Sequence, residues 1–335
     1  MNAAAAERVG NLISGYWQSQ AVYVAAKLGL PDQLAHGPRT ADDLAALVQV
    51  QPGPLFRLLR ALASIGVFRE TSPQTFENTP ESELLRGDVP GTQRPLALMM
   101  GEEHYHAWGR LLFSVQTGRG SFQEIYGEPI FQFLATRPEP AATFDAAMTA
   151  IHGRETAAML DAFDFSRFGT LCDVGGGNGS LLIKTLERTP GLKGMLYDLP
   201  HVVERARPNF AAAGVSDRVQ VSGGDFFAEI PAGADAYLLR HIIHDWDDAK
   251  ATLILQNIAR VLRPEGRVLL VESVVPPGNE PSFTKWLDLT MLVIPEGKER
   301  TEPEYRALLA GAGLELVGIT PTASEIGVLE ARRAT

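Results

Sequence analysis

The second half of the chain alternates short apolar runs with stretches whose apolar residues recur at helical spacing. The runs are Thr170–Val174, Gly194–Tyr197, Val219–Val221, Ala236–Leu239 and Val268–Val271. Runs of this length read as strands buried on both faces, and the helical stretches between most of them, such as Lys250–Leu262, read as crossovers. The alternation predicts a parallel sheet with helices on both faces. Two last runs, Leu314–Ile319 and Ile326–Glu330, are joined only by a short connection around Thr320-Pro321-Thr322-Ala323. No crossover helix fits there, so this pair is expected to be antiparallel. The expectation is an α/β, Rossmann-like domain with a mostly parallel seven-stranded sheet and a terminal antiparallel hairpin.

Before residue 165 the pattern is helical. Gly15–Leu34 mixes apolar and small residues at helical spacing, with Pro31 at a break. Thr40 stands as N-cap of a short helix whose first turn holds Asp42 and Asp43, where the macrodipole favours acids. Pro54–Ile65 puts Leu55, Leu58, Leu59 and Leu62 on one face. Val67–Glu70 and Thr75–Glu77 are predicted strands around the turn Thr71-Ser72-Pro73-Gln74. Helix, turn, helix and hairpin in that order make a winged-helix layout. Further helices are predicted over Gly91–Gln116, Pro129–Ala135 and Pro138–Phe163. The chain thus divides into a mainly helical winged-helix-like domain over 1–95, a helical linker region over 96–164 and the Rossmann-like domain over 165–335. The first helical segment carries Leu12, Ile13, Tyr16, Trp17, Val22 and Val24 around much of its surface. A small domain has difficulty burying them all, so a homodimer through the N-terminal domain is expected.

A length of 335 residues suits two domains, and a hydrophobic fraction of 45% fills their cores. No stretch of about 18 uninterrupted apolar residues occurs, so no membrane span is expected. The N-terminus lacks the charged-then-apolar layout of a signal peptide, and a cytoplasmic setting follows. The single cysteine, Cys172, excludes an internal disulfide and a cysteine metal cluster. A net charge of −10, spread along the chain, argues against nucleic acid, which needs a basic surface.

The chemistry is concentrated at the ends of the predicted strands. Asp173-Val-Gly-Gly-Gly-Asn-Gly-Ser180 follows the first strand and opens a helix. Glycines there let the backbone turn tightly and approach a ligand, which makes Asp173, Gly175 and Gly177 candidate binding residues. Ser180 occupies the third fingerprint position, where dinucleotide sites carry Gly or Ala. Asp198 sits about 20 residues on, at the tip of the second strand, where an acid takes a ribose diol. Asp225, at the end of the third strand, is placed for an adenine amino group, with Phe226 packing on the ring.

After the fourth strand comes Arg240-His-Ile-Ile-His-Asp-Trp-Asp-Asp248. His244 is the candidate general base, a neutral imidazole able to take a phenol proton. Glu272, at the end of the fifth strand, and Glu299, before the next helix, are candidates for fixing its ring. Read alone, Glu272 is also a strand-end surface carboxylate and Glu299 half of a solvated charge run. His241, His244, Asp245, Asp247 and Asp248 can be read as a metal cluster. Asp247 and Asp248 serve equally as cap and first-turn acids of the following helix, and no metal is expected.

Together, Asp173-Val-Gly-Gly-Gly-Asn-Gly179, Tyr197-Asp-Leu-Pro200, Gly224-Asp-Phe-Phe227, His244-Asp-Trp-Asp-Asp248 and Gly297-Lys-Glu-Arg-Thr301 resemble the caffeic acid O-methyltransferase-like family. That family includes bacterial enzymes that tailor phenazines, anthracyclines and other polyketides, and the resemblance spans nearly the whole chain. It implies S-adenosyl-L-methionine as methyl donor, S-adenosyl-L-homocysteine as product and no metal. By position it implies Gly175, Asp198, Leu199, Asp225, Phe226 and Arg240 as donor contacts, with Arg240 standing where plant members often have lysine. It implies His244 as base, followed by Asp245 and flanked by Glu272 and Glu299. The acceptor pocket would draw on Trp108, Phe131, Met148, His152, Met291 and Ile294, each of which core packing explains as well. Two rival readings stand beside methyl transfer to a small aromatic hydroxyl. One is a relative that binds the same donor but hydroxylates or decarboxylates a polyketide. The other is a winged-helix DNA-binding regulator, against which the few basic residues of Pro54–Ile65 speak.

Overall fold

The computed structural model describes residues 2–334 and divides into two compact units. One comprises the chain up to Arg110 with Ile125–Gly153; the other comprises Leu111–Glu124 with Arg154 onward. Residues 96–164 contribute to both.

The first unit opens with the helix Ala3–Lys27, which starts well before the predicted Gly15 because Asn2 caps it, accepting from Ala5 N. Gly29, at φ 66°, ends that run, and Pro31 sits in the first turn of the short helix Leu30–Gln33. Thr40 caps Ala41–Val48 by accepting from Asp43 N. The helix Pro52–Ala63 buries Leu55, Leu59 and Leu62, while Leu58 is half-buried. A small sheet follows, in the order β1 (Arg39–Thr40), β3 (Thr75–Asn78), β2 (Phe68–Ser72). Only Pro73 and Gln74 remain between β2 and β3, with Gln74 at φ 60°. These elements enclose one core of Leu30, Leu44, Leu59, Leu62, Phe68 and Phe76.

The predicted segment Gly91–Gln116 is instead three helices: Arg94–Gly101, Glu103–Trp108 and Leu111–Thr117. Breaks fall at Glu102, whose ψ of −112° is non-helical, and near Gly109. Periodicity continues across both breaks, which is why the sequence reads as a single helix.

In the second unit the seven strands are β4 (Thr170–Val174), β5 (Lys193–Asp198), β6 (Val219–Gly223), β7 (Ala236–Arg240), β8 (Arg267–Ser273), β9 (Leu314–Pro321) and β10 (Ile326–Arg333). They lie in the order β6-β5-β4-β7-β8-β10-β9. β4 to β8 pair in parallel, and β10 enters antiparallel to both β8 and β9. The pleat sends alternate residues to opposite cores. Cys172, Tyr237, Leu239 and Leu270 pack with Ile254, Ile258 and Tyr305 on one face. Leu171, Leu196, Leu238 and Leu269 pack with Leu182, Val203 and Phe210 on the other. The chain reverses direction of winding beside β4, so the carboxyl ends of β4, β5 and β7 border the crevice where open sheets of this type bind ligands. The helix Phe283–Val293, between β8 and β9, was not expected from the sequence. Its apolar residues are too dense for a helical stripe to stand out.

Candidate functional site

The glycine loop leaves β4 through three left-handed positions, Gly175 (φ 70°), Gly177 (φ 58°) and Gly179 (φ 77°). A Cβ on Gly175 would lie 2.5 Å from Ile242 Cδ1, and one on Gly176 would lie 2.7 Å from the Asp173 carboxylate. At Gly177 a Cβ would meet open space, so the loop presents bare backbone outward. Gly179 stands as N-cap to the helix Ser180–Arg188. Asp198, at the tip of β5, fastens this loop: its Oδ2 accepts from Gly177 N at 2.8 Å and its Oδ1 from Leu199 N at 2.7 Å. Each oxygen keeps a lone pair for a further donor. The Leu199 side chain beside it is exposed.

Asp173 is buried, and its Oδ2 has no hydrogen-bond partner. Burial raises its pKa to about 7, opposed by the Arg240 guanidinium and reinforced by the Asp198 charge. Arg240, at the end of β7, donates from Nη1 to Thr156 Oγ1 at 2.7 Å. Asp225 is exposed and lies beyond the end of β6 at Gly223 rather than on the strand, its Oδ1 accepting from Phe227 N at 2.9 Å. Phe226 is half-buried against Phe227 and Trp246, and its ring would stand 3.8 Å from a Gly175 Cβ. Bare loop backbone, an orphaned buried oxygen, a diol-competent carboxylate and an aromatic edge along three adjacent strand ends fit a nucleoside with a polar amino-acid tail.

On the other side of β7 the chain turns sharply. His241 takes φ 53°, unusual for a residue with a Cβ, and Ile243–Asp245 form a single 3-10 turn. Glu272, fully buried on β8, accepts with Oε1 from Ile242 N at 3.2 Å and Ile243 N at 2.9 Å. That carboxylate therefore shapes the turn that carries His244. His244 is buried, with Nδ1 at 2.7 Å from Glu299 Oε1 and 3.4 Å from Glu272 Oε2. Donation from Nδ1–H to Glu299 assigns the tautomer and leaves Nε2 as the basic nitrogen. Asp245 Oδ1 lies 3.5 Å from Nε2, at ion-pair rather than hydrogen-bond distance. Glu272 does sit at a strand end, but neither it nor Glu299 is at the surface, so neither is a surface carboxylate or half of a solvated charge run.

The electrostatics depart from the sequence expectation of an ordinary neutral imidazole. Burial by itself lowers the proton affinity of His244, but Glu272, Asp245 and Glu299 more than offset it and push its pKa up to about 10. Burial raises Asp245 to about 6 against the pull of His244, and burial also pushes Glu272 above the usual carboxylate range.

Several participants were not legible beforehand. His241 Nε2 lies 2.8 Å from Glu155 Oε2, and its ring centroid is 5.0 Å from that of His244. Donor atoms of His241, His244 and Glu272 lie within 4.8 Å of one another. The His244 nitrogen facing Glu272 is the one already bound by Glu299, so a metal there would displace that bond. Asp247 caps the helix Asp248–Val261 by accepting from Lys250 N, and Asp248 pairs with Arg300. Arg300, fully buried, and Gly297 also adjoin the His244 turn. The only sequence sign was the capping box Thr301-x-x-Glu304, which makes 297–300 a loop rather than a helical charge run.

Of the six residues suggested for an acceptor pocket, Met291 and Ile294 are buried in the second unit, at the end of the helix Phe283–Val293. Trp108, Phe131, Met148 and His152 belong to the first unit, where Phe131 is exposed and the others are half-buried.

Residues 108–315 match an O-methyltransferase domain, and residues 11–88 match an O-methyltransferase dimerisation domain. The chain is 45% identical to a phenazine O-methyltransferase of Lysobacter antibioticus, covering 96% of this chain and 94% of that one. It is 41% identical to the 8-amino-8-demethylriboflavin N,N-dimethyltransferase of Streptomyces davaonensis, over 93% of this chain and 90% of the other. It is 36% identical to the aclacinomycin 10-hydroxylase of Streptomyces purpurascens, over 97% and 88%. Among solved structures it superposes on that of LaPhzM with a TM-score of 0.93 at 44% identity, covering 98% of this chain and 99% of that one. It also superposes on an O-methyltransferase of neocarzinostatin biosynthesis, solved with S-adenosylmethionine and a hydroxynaphthoic acid, with a TM-score of 0.85 at 32% identity and coverage of 94% and 96%.

Proposed function

Since this chain belongs to the O-methyltransferase family that couples a dimerisation domain to a methyltransferase domain, we propose that it moves a methyl group from S-adenosylmethionine to a hydroxyl of a small aromatic molecule. The observation that carries this reading is His244, held through Nδ1 by Glu299 at 2.7 Å with Glu272 behind it, so that Nε2 is left to act.

The donor brings a methyl group already activated on a cationic sulfur. Asp198 takes its ribose diol, Asp225 and Phe226 its adenine, and the backbone of Gly175 and Gly177 the amino-acid end, with Asp173, Leu199 and Arg240 around them. His244 Nε2 would accept the proton of the acceptor hydroxyl as its oxygen bonds to the methyl carbon and the carbon–sulfur bond breaks, the sulfur leaving as the neutral thioether S-adenosylhomocysteine. A phenol has a pKa near 10, so an imidazole pushed up to about 10 is matched to it, which favours proton transfer along the reaction. Glu299 and Glu272 stabilise the imidazolium, and Asp245 adds charge at its outer edge.

Oxygen is favoured over nitrogen as acceptor by the same network. A neutral arylamine attacks with its lone pair before losing a proton, so a buried base with carboxylate support would be superfluous. The test pairs a hydroxyphenazine with the corresponding aminophenazine and follows turnover by mass spectrometry. Gain of one methylene on the hydroxyl compound with release of S-adenosylhomocysteine is expected. Preferential methylation of the amine, or a product that gains oxygen or loses carbon dioxide, overturns the reading.

We also propose that the chain works as a homodimer through its first helix. Leu12, Ile13 and Trp17 of that helix are each more than 60% exposed, a density of apolar surface that a monomer seldom leaves in water.

A further inference from the structure

His244 and Glu299 lie 55 residues apart in sequence, and a bond of 2.7 Å between them requires the two segments to be held in register. Lys298 N donates to the His244 carbonyl at 2.7 Å, which fastens one point. Glu299 N is itself held by Asp288 Oδ1 at 2.9 Å, and one side chain adds further ties between the two segments. Arg300 is fully buried and makes five hydrogen bonds: Nη1 to Ile243 O (3.0 Å) and Lys298 O (3.1 Å), Nη2 to Trp246 O (2.9 Å) and Asp248 Oδ1 (2.8 Å), and Nε to Asp248 Oδ1 (3.0 Å). The residues it grips thus flank His244 on both sides. Its own backbone is anchored to the segment after β8, with Val275 N donating to Arg300 O at 2.9 Å. One planar fork therefore ties together the His244 turn, the Glu299 loop and the start of the helix Asp248–Val261, while the backbone of the same residue is bonded to the segment after β8.

We propose that Arg300 is a positioning residue for the methyl-transfer base, setting the His244–Glu299 distance and through it the proton affinity of the imidazole. The inference rests on the reading of His244 as base. None of these bonds is made to the glycine loop or Asp198, and the one link to the donor side runs through Trp246, whose backbone carbonyl Arg300 holds and whose ring packs on Phe226. A lysine cannot replace the fork: it offers three donors from a single point and cannot reach acceptors spread around the edge of a planar group. A buried guanidinium with only one carboxylate partner is also costly to keep unless its bonds to carbonyls are all made.

The experiment compares Arg300→Lys and Asp248→Ala with the wild type, using S-adenosylmethionine and a hydroxyphenazine. Asp248 is 65% exposed in its side chain, so its replacement removes two of the five bonds without opening a cavity, and because it also takes away the one carboxylate paired with Arg300, thermal melting of both variants accompanies the kinetics. Arg300→Lys is expected to lower kcat by roughly thirtyfold and Asp248→Ala by roughly threefold, amounts in the range for loss of an aligned base. The dissociation constant of S-adenosylhomocysteine, measured by calorimetry, should stay within about twofold in both. The rising limb of the kcat/KM–pH profile should move to lower pH, because an imidazole no longer held against Glu299 gives up its proton more readily. Donor affinity that falls in parallel with kcat, or a pH profile that does not move in either variant, would overturn the proposal. Absence of methylation by the wild type, or full activity of His244→Ala, would instead refute the underlying reading.

Discussion

At the scale of single residues the molecule turns on one buried imidazole among three carboxylates. Since His244 is raised to about 10, the imidazole is mostly protonated at neutral pH, and only its deprotonated form can serve as the proposed base. The rate should therefore climb with pH from neutrality toward about 10, measured as kcat/KM with a phenolic acceptor. Glu299→Gln removes one of the charges that raise the imidazole while preserving size. Its limb should move to lower pH by about one unit, and its plateau should fall because the ring is less firmly oriented. A limb that stays in place would show that Glu299 does not act on His244 in solution. His244→Ala should cut turnover by about a hundredfold or more while leaving donor affinity nearly intact. Loss of donor binding with turnover per bound enzyme retained would remove His244 from the base role.

At the scale of elements, function depends on two loops packed so tightly that a methyl group does not fit. A Cβ on Gly297 would overlap the His244 carbonyl oxygen and the Asp245 backbone. Gly297→Ala must therefore push the Glu299 loop off the His244 turn, with an expected loss of about 1–3 kcal/mol in stability and a larger proportional loss of kcat than of donor affinity. Gly191→Ala, where a Cβ meets nothing, is the matched control for thermal melting. Gly175 combines φ 70° with a Cβ position 2.5 Å from Ile242, so Gly175→Ala acts at the other loop. It should weaken S-adenosylhomocysteine binding by roughly tenfold or more, read by calorimetry. Opposite signatures from the two glycines, one in kcat and one in affinity, would confirm that the loops serve separate halves of the site.

At the scale of the whole molecule, the helix Ala3–Lys27 leaves Leu12, Ile13, Tyr16 and Trp17 exposed to solvent. A double substitution, Leu12→Glu with Trp17→Glu, puts charge on that face and should convert a dimer to a monomer in light scattering at micromolar concentration. A wild-type protein already monomeric under those conditions would dispose of the dimer.

Where periodicity was strong, the chain itself determined the outcome. β4 matches the predicted run Thr170–Val174, the terminal hairpin is antiparallel, and Thr40 and Asp247 cap the helices they precede, because strand pleat and cap geometry are properties of neighbouring residues. The motifs also announced the candidate acids, the glycine loop and His244. Tertiary packing decided everything that depends on residues distant in sequence meeting in a dry interior. It broke Gly91–Gln116 into three helices and added the helix Phe283–Val293. It buried Arg300 and brought Glu155 to His241. It also raised the proton affinity of an ordinary histidine, since that affinity follows from charges and solvent within a few ångströms, and the linear order of residues does not contain those distances.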